Sequence, residues 1–559
     1  MLSKIFGAKS DHPMADIKSA QALLEDLPKN DAHKLLMELT EWIESVSENT
    51  DFKLDHQFAV LRLLDEAAQP HVRKLTREYF TRNEPGKFQE NRLWLVLGNL
   101  SKRTADGYYK VFERYCKAEK GSNTIKAQLP LLLVRAVNAM AGQLKFVCVR
   151  YGHVDKTIWT NLAQIFSHAE LQQCLDTPVS LYPGVAGNTS VKCEAGHLLG
   201  WYGCGINTLK PLYIHLTERL VAQYCMTIDV HARQGEHDLF SFDPSRPAAP
   251  KRVKVDDMTR RAQASGAGMS SSRLLPQSAG YAITSDLASV VGSPSRMASS
   301  SISNVSEADA TAHPATRFIS MAGMQPKLES LIKTLGKKVM PDDLTLGVGY
   351  DAESVLEAAQ YLLDYMTAPP LRRSVRRKVK INMSVVQGFS STVERTNAGL
   401  NFNEEKPVQW EIEDIGANGF RTVLPAQVSD EIRIGSLLGV QPAGVQNWGV
   451  AVVRHMIRDD QNQLHVGAEM LTNQITAVAL IQSGEGGGAF EDGQTALWLY
   501  EKQGESAGEA RLLMKADTYD GHRSLLSELN GKDYLLIPNG LLEKCLDCDL
   551  ARFRLIKQE

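Results

Sequence analysis

The sequence lacks the features that would place it in a membrane or outside the cell. No apolar run reaches the roughly 18–20 residues that a membrane-spanning helix needs. The N-terminus, MLSKIFGAKSDHPMADIKSA, has no apolar core of the length that a secretory signal requires. Eight cysteines are scattered thinly over 559 residues, unlike the dense framework of a small secreted domain, which favours a reducing compartment. We therefore predict a cytoplasmic protein without a transmembrane segment.

An excess of charge of one sign is also missing. The chain has 62 Lys and Arg against 65 Asp and Glu, a formal net charge of −3. A nearly neutral molecule has no overall field that would select nucleic acid or an anionic membrane. Anion binding must then come from local clusters, and we expect no nucleic-acid partner.

Catalytic and metal-binding motifs are absent as well. Cys545 and Cys548 form a CxxC without a second ligand pair, and the spacing of Cys193, His197 and Cys204 fits no standard zinc module. The run SGEGGGAF lacks the Lys-Ser or Lys-Thr of a phosphate-binding loop, and no nucleophile elbow occurs. We predict a protein that is not an enzyme and has neither a cofactor nor a bound metal.

The first half of the chain has the apolar spacing of helices. Segments such as HKLLMELTEWIESV repeat large apolar residues every three or four positions, which predicts a helical domain over 1–240. The stretch 241–314 is rich in Ser, Ala, Pro and Gly and predicts a disordered linker, with a transient helix near Ser285 to Val291. Helical spacing returns over 315–370 and should stop near Thr367, before Pro369 and Pro370.

Beyond the two prolines the pattern changes to short β-type runs. They are KVKINMSVV, VQWEIEDI, GFRTVLP, EIRIGSLLGV, NWGVAVVRHMI and HVGAEMLT, separated by turn residues, which predicts a small antiparallel barrel over 371–482. Further runs in 483–559 predict more strands that either extend this barrel or build a second one. No internal repeat of fixed period is evident. The predicted class is α+β multidomain.

The densest positive cluster in the chain, LRRSVRRKVK, immediately precedes the first predicted barrel strand. Its cations are Arg372, Arg373, Arg376, Arg377, Lys378 and Lys380. Arginine offers paired hydrogen bonds to phosphate oxygens and to the O6 and N7 edge of guanine. The cluster therefore suits a guanine nucleotide, although a solvated basic segment is the simpler alternative.

A polar turn follows at EIEDIGANGF. Asp414 is followed by Gly416, Asn418 and Gly419, which permit a tight turn with positive φ and close approach of a ligand to the backbone. A carboxylate at Asp414 can accept hydrogen bonds from N1 and N2 of guanine. The two segments would thus contact opposite edges of one base.

Together these segments resemble the PilZ domain family. An RxxxR motif, available as Arg372 to Arg376 or Arg373 to Arg377, precedes a barrel strand, and a motif similar to D/N-x-S-x-x-G follows, its positions mapping onto Asp414, Gly416 and Gly419. The sequence departs from that pattern at Gly416, where the family has Ser or another small residue, and in the long segment GFSSTVERTNAGLNFNEEK between the motifs.

The resemblance implies that the barrel binds cyclic di-GMP, with the arginine segment over the nucleotide. The implied ligand-binding residues are Arg372, Arg373, Arg376, Arg377, Asp414, Gly416, Asn418 and Gly419. The expected function is an effector that passes the level of this second messenger to a protein partner through the helical domain. Two alternatives remain: a helical adaptor whose barrel binds no nucleotide, and an RNA-binding protein. The second is disfavoured because Phe402, Trp410 and Phe420 alone form no stacking platform.

Overall fold

The chain divides into a helical unit and a barrel unit, which are described separately. The structure, a computed structural model, describes residues 12–81, 86–253, 314–346, 349–368, 376–396, 407–416, 418–425, 432–482, 494–500 and 508–558. The predicted transient helix near Ser285 lies outside these residues. A helical domain followed by antiparallel barrel strands, as the apolar spacing predicts, is confirmed.

Nine helices of the described residues build the first part of the helical unit. They are α1 (Ile17–Asp26), α2 (Ala32–Glu48), α3 (Leu54–Thr81), α4 (Lys87–Cys116), α5 (Ser122–Ile125), α6 (Leu129–Cys148), α7 (Lys156–Leu171), α8 (Val191–Gly203) and α9 (Pro211–Gln223). Their ends follow local chemistry: Asp31 begins α2 by accepting the backbone N–H of Lys34 at 3.0 Å. On α2, Leu35, Leu39 and Ile43 form a fully buried stripe at helical spacing.

The apolar helix α6 is the feature of this unit closest to a membrane span. Among the described residues, the stretch Ser122–Cys148 alone has the length and apolar composition to cross a membrane, and 67% of its most apolar 18-residue window is buried inside the protein. Core helices of globular proteins have the same composition. Its buried positions include Leu132, Leu133 and Leu144, which contact the rest of the helical core.

Two clusters of buried charge lie within this core. In the first, Arg135 of α6 contacts Asp65 and Glu66 of α3, each at 2.8 Å, and its guanidinium carbon lies 3.9 Å from the centre of the Tyr182 ring. Tyr108 donates to the same Asp65 carboxylate at 2.7 Å. Each polar atom placed here needs a partner, because an unpaired buried charge costs several kcal/mol.

In the second cluster, His197 of α8 lies between two buried carboxylates. Its Nε2 is 3.2 Å from Glu218 of α9, and its Nδ1 is 3.7 Å from Glu194. Lys145 completes the cluster at 3.0 Å from Glu218. Burial by itself lowers the pKa of His197, but contacts with Glu194 and Glu218 outweigh it and raise this pKa to about 9.

The raised pKa of His197 predicts a stability that depends on pH. Its contribution is fully present below the unfolded-state pKa of about 6.5 and is lost as the pH rises through about 9. We expect the free energy of unfolding of the helical unit to fall by up to about 3 kcal/mol over this range. Urea unfolding between pH 6 and pH 9, monitored by hydrogen exchange of α8 and α9, measures this fall in the free energy of unfolding. His197→Gln should remove the slope and the exposed control His153→Gln should keep it, whereas a flat wild-type profile contradicts the prediction.

The helical unit also contains a four-stranded antiparallel sheet. Its strands are β1 (Asp229–His231), β2 (Asp238–Phe242), β3 (Lys251–Arg252) and β4 (Arg317–Ser320), in the order β1-β4-β2-β3. The segment 241–253, predicted as the start of a linker, therefore belongs to this sheet. The reason is that Phe240 and Phe242 alternate inward and bury their rings, a signal too short to stand out from the polar residues that follow. The remainder of the predicted linker, 254–313, lies outside the described residues.

The predicted helical connector is two helices packed on the helical unit. They are α10 (Gln325–Leu335) and α11 (Ala352–Thr367). Tyr361 of α11 donates to the backbone oxygen of Cys204 at 2.7 Å, and Tyr213 of α9 donates to Glu357 at 2.6 Å. The helix α11 ends at Thr367, where the paired prolines predict it.

The first barrel contains the six strands that the sequence predicts. They are β5 (Arg377–Gln387), β6 (Val408–Gly416), β7 (Gly419–Leu424), β8 (Leu437–Pro442), β9 (Gly449–Arg458) and β10 (Leu464–Thr472). They close as β10-β7-β6-β5-β8-β9, with β9 and β10 paired. The predicted run EIRIGSLLGV is a strand only from Leu437, since Gly435 adopts a positive φ of 86° that breaks the extended backbone.

The later strands form a second closed barrel rather than an extension of the first. They are β11 (Ile475–Gln482), β12 (Gln494–Leu499), β13 (Glu509–Lys515), β14 (Leu525–Leu529), β15 (Lys532–Lys544) and β16 (Cys548–Lys557), joined as β11-β12-β13-β16-β15-β14. Of the long segment between the PilZ-like motifs, Phe389–Thr396 is a helix, α12, and 397–406 lies outside the described residues.

The cysteines have two different surroundings. Cys193 and Cys225 form a disulfide in the helical unit, a pairing that their thin scattering in the sequence does not predict. Cys545 and Cys548 are reduced and buried in the barrel unit, where the N–H of Cys545 donates to the carbonyl of Cys548 at 2.9 Å. Within the described residues no group of His, Cys, Asp and Glu is arranged to hold a metal ion.

Candidate functional site

The two PilZ-like motifs meet on the outer surface of the first barrel. Arg376 directly precedes β5, and its Nη1 lies 3.1 Å from Oδ1 of Asp414 at the end of β6. The two residues are 38 positions apart in sequence and are brought together because β5 and β6 pair antiparallel. Arg377 begins β5 opposite Ile415. Arg372 and Arg373 lie outside the described residues.

The motif turn is held tightly against strand β10. Gly416 pairs with Gly419 at the end of the β6–β7 hairpin, and the carbonyl of Asn418 accepts the N–H of Met470 at 2.9 Å. A Cβ added at Gly419 would lie 2.1 Å from the carbonyl oxygen of Ala468. Glycine is thus required at 419 by close backbone approach, not by the positive φ that the turn pattern predicts, since its φ is outside the left-handed region.

A row of polar residues crosses five strands beside this turn. Strand pairing places Lys378, Asp414, Arg421, Gly467 and His455 next to one another, on β5, β6, β7, β10 and β9 in turn. We call these five residues the polar row. Because Gly467 has no side chain, the row has a gap between Arg421 and His455. A flat ligand can approach the barrel backbone at that gap.

Arg421 of the polar row is held by its neighbours. Arg421 Nη2 donates to Nδ1 of His465 at 2.7 Å, and Nε2 of His465 donates to Asp459 at 2.9 Å. Glu413 lies 3.6 Å from Nε of Arg421. These contacts orient the Arg421 guanidinium, a group that can donate paired hydrogen bonds to phosphate oxygens.

His455 ends the polar row as a neutral imidazole. Its pKa is lowered to about 4, first because the neighbouring atoms partly desolvate the ring and then because Arg376 and Arg421 are positive. The residue is nevertheless accessible to solvent. A neutral, accessible ring beside a cluster of cations is suited to contact the face of a purine base.

The sequence did not single out Arg421, His455 or His465. Arg421 lies only two residues after Gly419 and could have been found by following the strand beyond the turn. His455 and His465 come from β9 and β10, and nothing local marks them as neighbours of Asp414. Of the predicted residues that are described, Arg376, Arg377, Asp414, Gly416, Asn418 and Gly419 lie at one end of the β5–β6–β7 sheet.

A cavity elsewhere in the protein has different chemistry. It has a volume of about 520 Å³ and lies between α4 and α7 of the helical unit, where Cys116 Sγ is 3.8 Å from Nδ1 of His168. Burial, and then the charge of Glu113, raise the pKa of the Cys116 thiol. The thiol therefore stays protonated at neutral pH, so this pair is not an activated nucleophile.

Comparison with known families agrees with the geometry of the first barrel. Residues 18–234 match the model described as the N-terminal domain of the cyclic-di-GMP receptor FimW, and residues 373–476 match the model described as its middle PilZ domain. The second match begins at Arg373, covers all six strands of the first barrel and ends at Thr476, at the start of β11. No curated protein and no solved structure matches the chain.

Proposed function

Because this chain belongs to the PilZ-containing cyclic-di-GMP receptors through residues 373–476, we propose that it is a non-catalytic effector that reports the level of cyclic di-GMP to a protein partner. The observation that carries the proposal is the contact of Arg376 with Asp414, which joins the two halves of the PilZ signature. We place the protein in the cytoplasm and its partner on the helical unit; both assignments are predictions.

The proposed ligand site combines the two motifs with the polar row. Its ligand-binding residues are Arg372, Arg373, Arg376, Arg377, Asp414, Gly416, Asn418 and Gly419, with Arg421 and His455 added from the polar row. The arginines donate to phosphate oxygens and to the O6 and N7 edge of guanine, and Asp414 accepts from N1 and N2. The phosphodiester groups carry negative charge that is complementary to these arginines.

Binding requires a change in the Arg376–Asp414 pair. The Arg376 side chain is 42% exposed, so its contact with Asp414 is a weak surface ion pair that a ligand can replace. When a guanine edge occupies the Asp414 carboxylate, Arg376 is released to donate to the nucleotide. The arginine segment follows α11 after a few residues, so we propose that holding it on the barrel changes the position of the helix end at Thr367.

Limited proteolysis tests this step. Trypsin cleaves after arginine, and the segment 372–377 offers four arginine sites. We expect saturating cyclic di-GMP to slow cleavage there and GTP to leave it unchanged. Identical cleavage with and without the ligand would contradict the proposed movement of the arginine segment.

Isothermal titration of cyclic di-GMP into the purified full-length chain tests the function itself. Saturable binding, with GTP as the negative control, supports the effector. A flat titration at high ligand concentration, by a protein whose circular dichroism shows the folded state, supports the helical adaptor instead. The specific observation in favour of this second candidate is Gly416, which lacks the hydroxyl common at this position in PilZ domains.

We expect a hydroxyl restored at Gly416 to increase the affinity for cyclic di-GMP. Gly416 is in extended backbone at the end of β6, a conformation that serine adopts readily. One restored hydrogen bond contributes about 0.5–1.5 kcal/mol, so we expect Gly416→Ser to bind cyclic di-GMP roughly 2- to 10-fold more tightly. Titration measures this change, and Gly467→Ser in the gap of the polar row is the matched control, which should bind less tightly. Weaker binding by Gly416→Ser would show that the hydroxyl has no place in this site.

A further inference from the structure

The second barrel repeats the fold of the first without its ligand motif. Numbered from one to six along each barrel, the strands of both close in the order 1-2-3-6-5-4. The first barrel is preceded by the arginine cluster, whereas the sequence from 459 to 510, which leads into and through the first two strands of the second barrel, contains no arginine. The second barrel thus has the architecture of a PilZ domain but not the residues that would bind the nucleotide.

The two barrels share one apolar core. Leu437, Val450 and Val452 of the first barrel pack with Leu497 and Leu550 of the second, and each is at most 5% exposed. Residues at this interface are as buried as those inside either barrel, so the barrels form one packed body and do not turn independently.

A charged contact crosses the same interface. Arg454 of β9 donates from Nε to Glu469 of β10 at 2.8 Å, and its Nη1 and Nη2 both contact the Glu543 carboxylate of β15, the latter at 2.7 Å. We call these three residues the Arg454 clamp. Its side chains are 14–19% exposed, so the two-pronged pair with Glu543 is largely shielded from water.

The backbone places the Arg454 clamp beside the ligand site. On β9, His455 pairs with Gly467 while Val453 pairs with Ala468, which leaves Arg454 as the extra residue of a β-bulge. Bulges of this kind redirect a side chain and bend the strand. The bulge residue Arg454 is therefore adjacent to His455 at the end of the polar row. A shift of His455 also moves the backbone of Arg454.

The other end of the Arg454 clamp leads to the motif turn. Glu469 pairs directly with Gly419, and the flanking residues Ala468 and Met470 hold the turn by close contact and by the 2.9 Å hydrogen bond to Asn418. A displacement of the turn cannot be absorbed by compression there, because the backbones already touch. It must move β10, and Glu469 moves with it.

We propose that the Arg454 clamp couples the cyclic di-GMP site to the second barrel, which serves as an output element of the receptor. The proposal rests on the proposed function of the first barrel. Ligand bound at Asp414 and the polar row fixes the motif turn and His455, and both contacts favour the arrangement in which Arg454 holds Glu543. The nucleotide thereby stabilises strands that it does not touch.

Hydrogen exchange of the full-length chain, with and without saturating cyclic di-GMP, tests the coupling. In the wild-type protein we expect exchange in β15 and β16 to slow by about threefold or more on ligand binding. In Glu543→Gln, which keeps the shape of the side chain but removes its charge, this protection should be lost. The affinity for the nucleotide, measured by titration, should change by less than about threefold, because Glu543 lies outside the ligand site.

The control is Glu509→Gln, which changes a carboxylate of the second barrel that contacts Arg552 and Asn539 instead of the first barrel. It should retain the ligand-induced protection of β15 and β16. If the wild-type protein binds cyclic di-GMP saturably but hydrogen exchange in its second barrel does not change, the coupling is wrong and the proposed function still holds. If the wild-type protein does not bind cyclic di-GMP, both the proposed function and the coupling are wrong. If the ligand still protects β15 and β16 in Glu543→Gln, the Arg454 clamp does not carry the coupling.

Discussion

Replacing Asp414 by alanine is expected to lower the affinity for cyclic di-GMP by roughly 10- to 100-fold. The carboxylate is only 15% exposed and lies at the end of β6, where it can accept from both N1 and N2 of a guanine. Hydrogen bonds to a charged group contribute about 1.5–3 kcal/mol, which is this range of affinity. Isothermal titration of both proteins measures it, and circular dichroism confirms that the variant is folded.

The matched control for Asp414→Ala is Glu411→Ala. Glu411 is on the same strand and has the same charge, but its contact with Lys380 at 3.7 Å is largely exposed and lies away from the motif turn. It should bind the nucleotide like the wild-type protein. The combined variant Arg373→Ala, Arg377→Ala and Asp414→Ala should show no measurable binding. Full affinity in the Asp414 variant would remove this residue from the proposed site.

Replacing Arg135 by methionine is expected to lower the free energy of unfolding of the helical unit by about 3–5 kcal/mol. The Arg135 side chain is 1% exposed and its two carboxylate partners are Asp65 and Glu66. Burial already raises the pKa of Asp65, with Arg135 acting against that rise, so removing the guanidinium leaves an uncompensated buried carboxylate. Chemical denaturation, monitored by hydrogen exchange of α3 and α6, measures this loss in the free energy of unfolding.

Two further variants separate the loss of charge compensation from the loss of packing. Adding Asp65→Asn to Arg135→Met removes the unpaired charge and should restore a large part of the stability, as expected for a buried ion pair replaced as a unit. Arg103→Met breaks an ion pair with Glu44 whose side chains are 41% and 36% exposed, and should cost less than about 1 kcal/mol. Equal losses in Arg103→Met and Arg135→Met would contradict the role assigned to burial.

The parts of the fold that could be predicted are those with a local signal. The stripe of Leu35, Leu39 and Ile43 predicts α2 because helical spacing needs no knowledge of partners. The six strands of the first barrel were found for the same reason, since each is a short run of β-type residues bounded by turn residues. Arg376 and Asp414 were identified because each lies in a short motif whose chemistry is evident from its own residues.

The parts that could not be predicted depend on pairing between distant segments. Arg421, Gly467 and His455 become neighbours only through the register of β7, β10 and β9. Whether the last six strands extend one barrel or close another depends on the pairing of β11 with β14, which no local pattern contains. The same holds for β4, whose four residues form a strand because β1 and β2 flank it.

The position of β4 determines which parts of the fold the segment 254–313 connects. The chain leaves the small sheet after β3 and re-enters it at β4, between β1 and β2, so both ends of the segment are anchored in one sheet. The connection from the helical unit to the arginine segment therefore does not run through 254–313, which begins and ends at the same sheet. Doubling the length of such a loop costs only about 0.6 kcal/mol. Evolution can therefore lengthen, shorten or rewrite this stretch, and an experimenter can insert a reporter there, without changing the covalent path from α11 to the arginine segment.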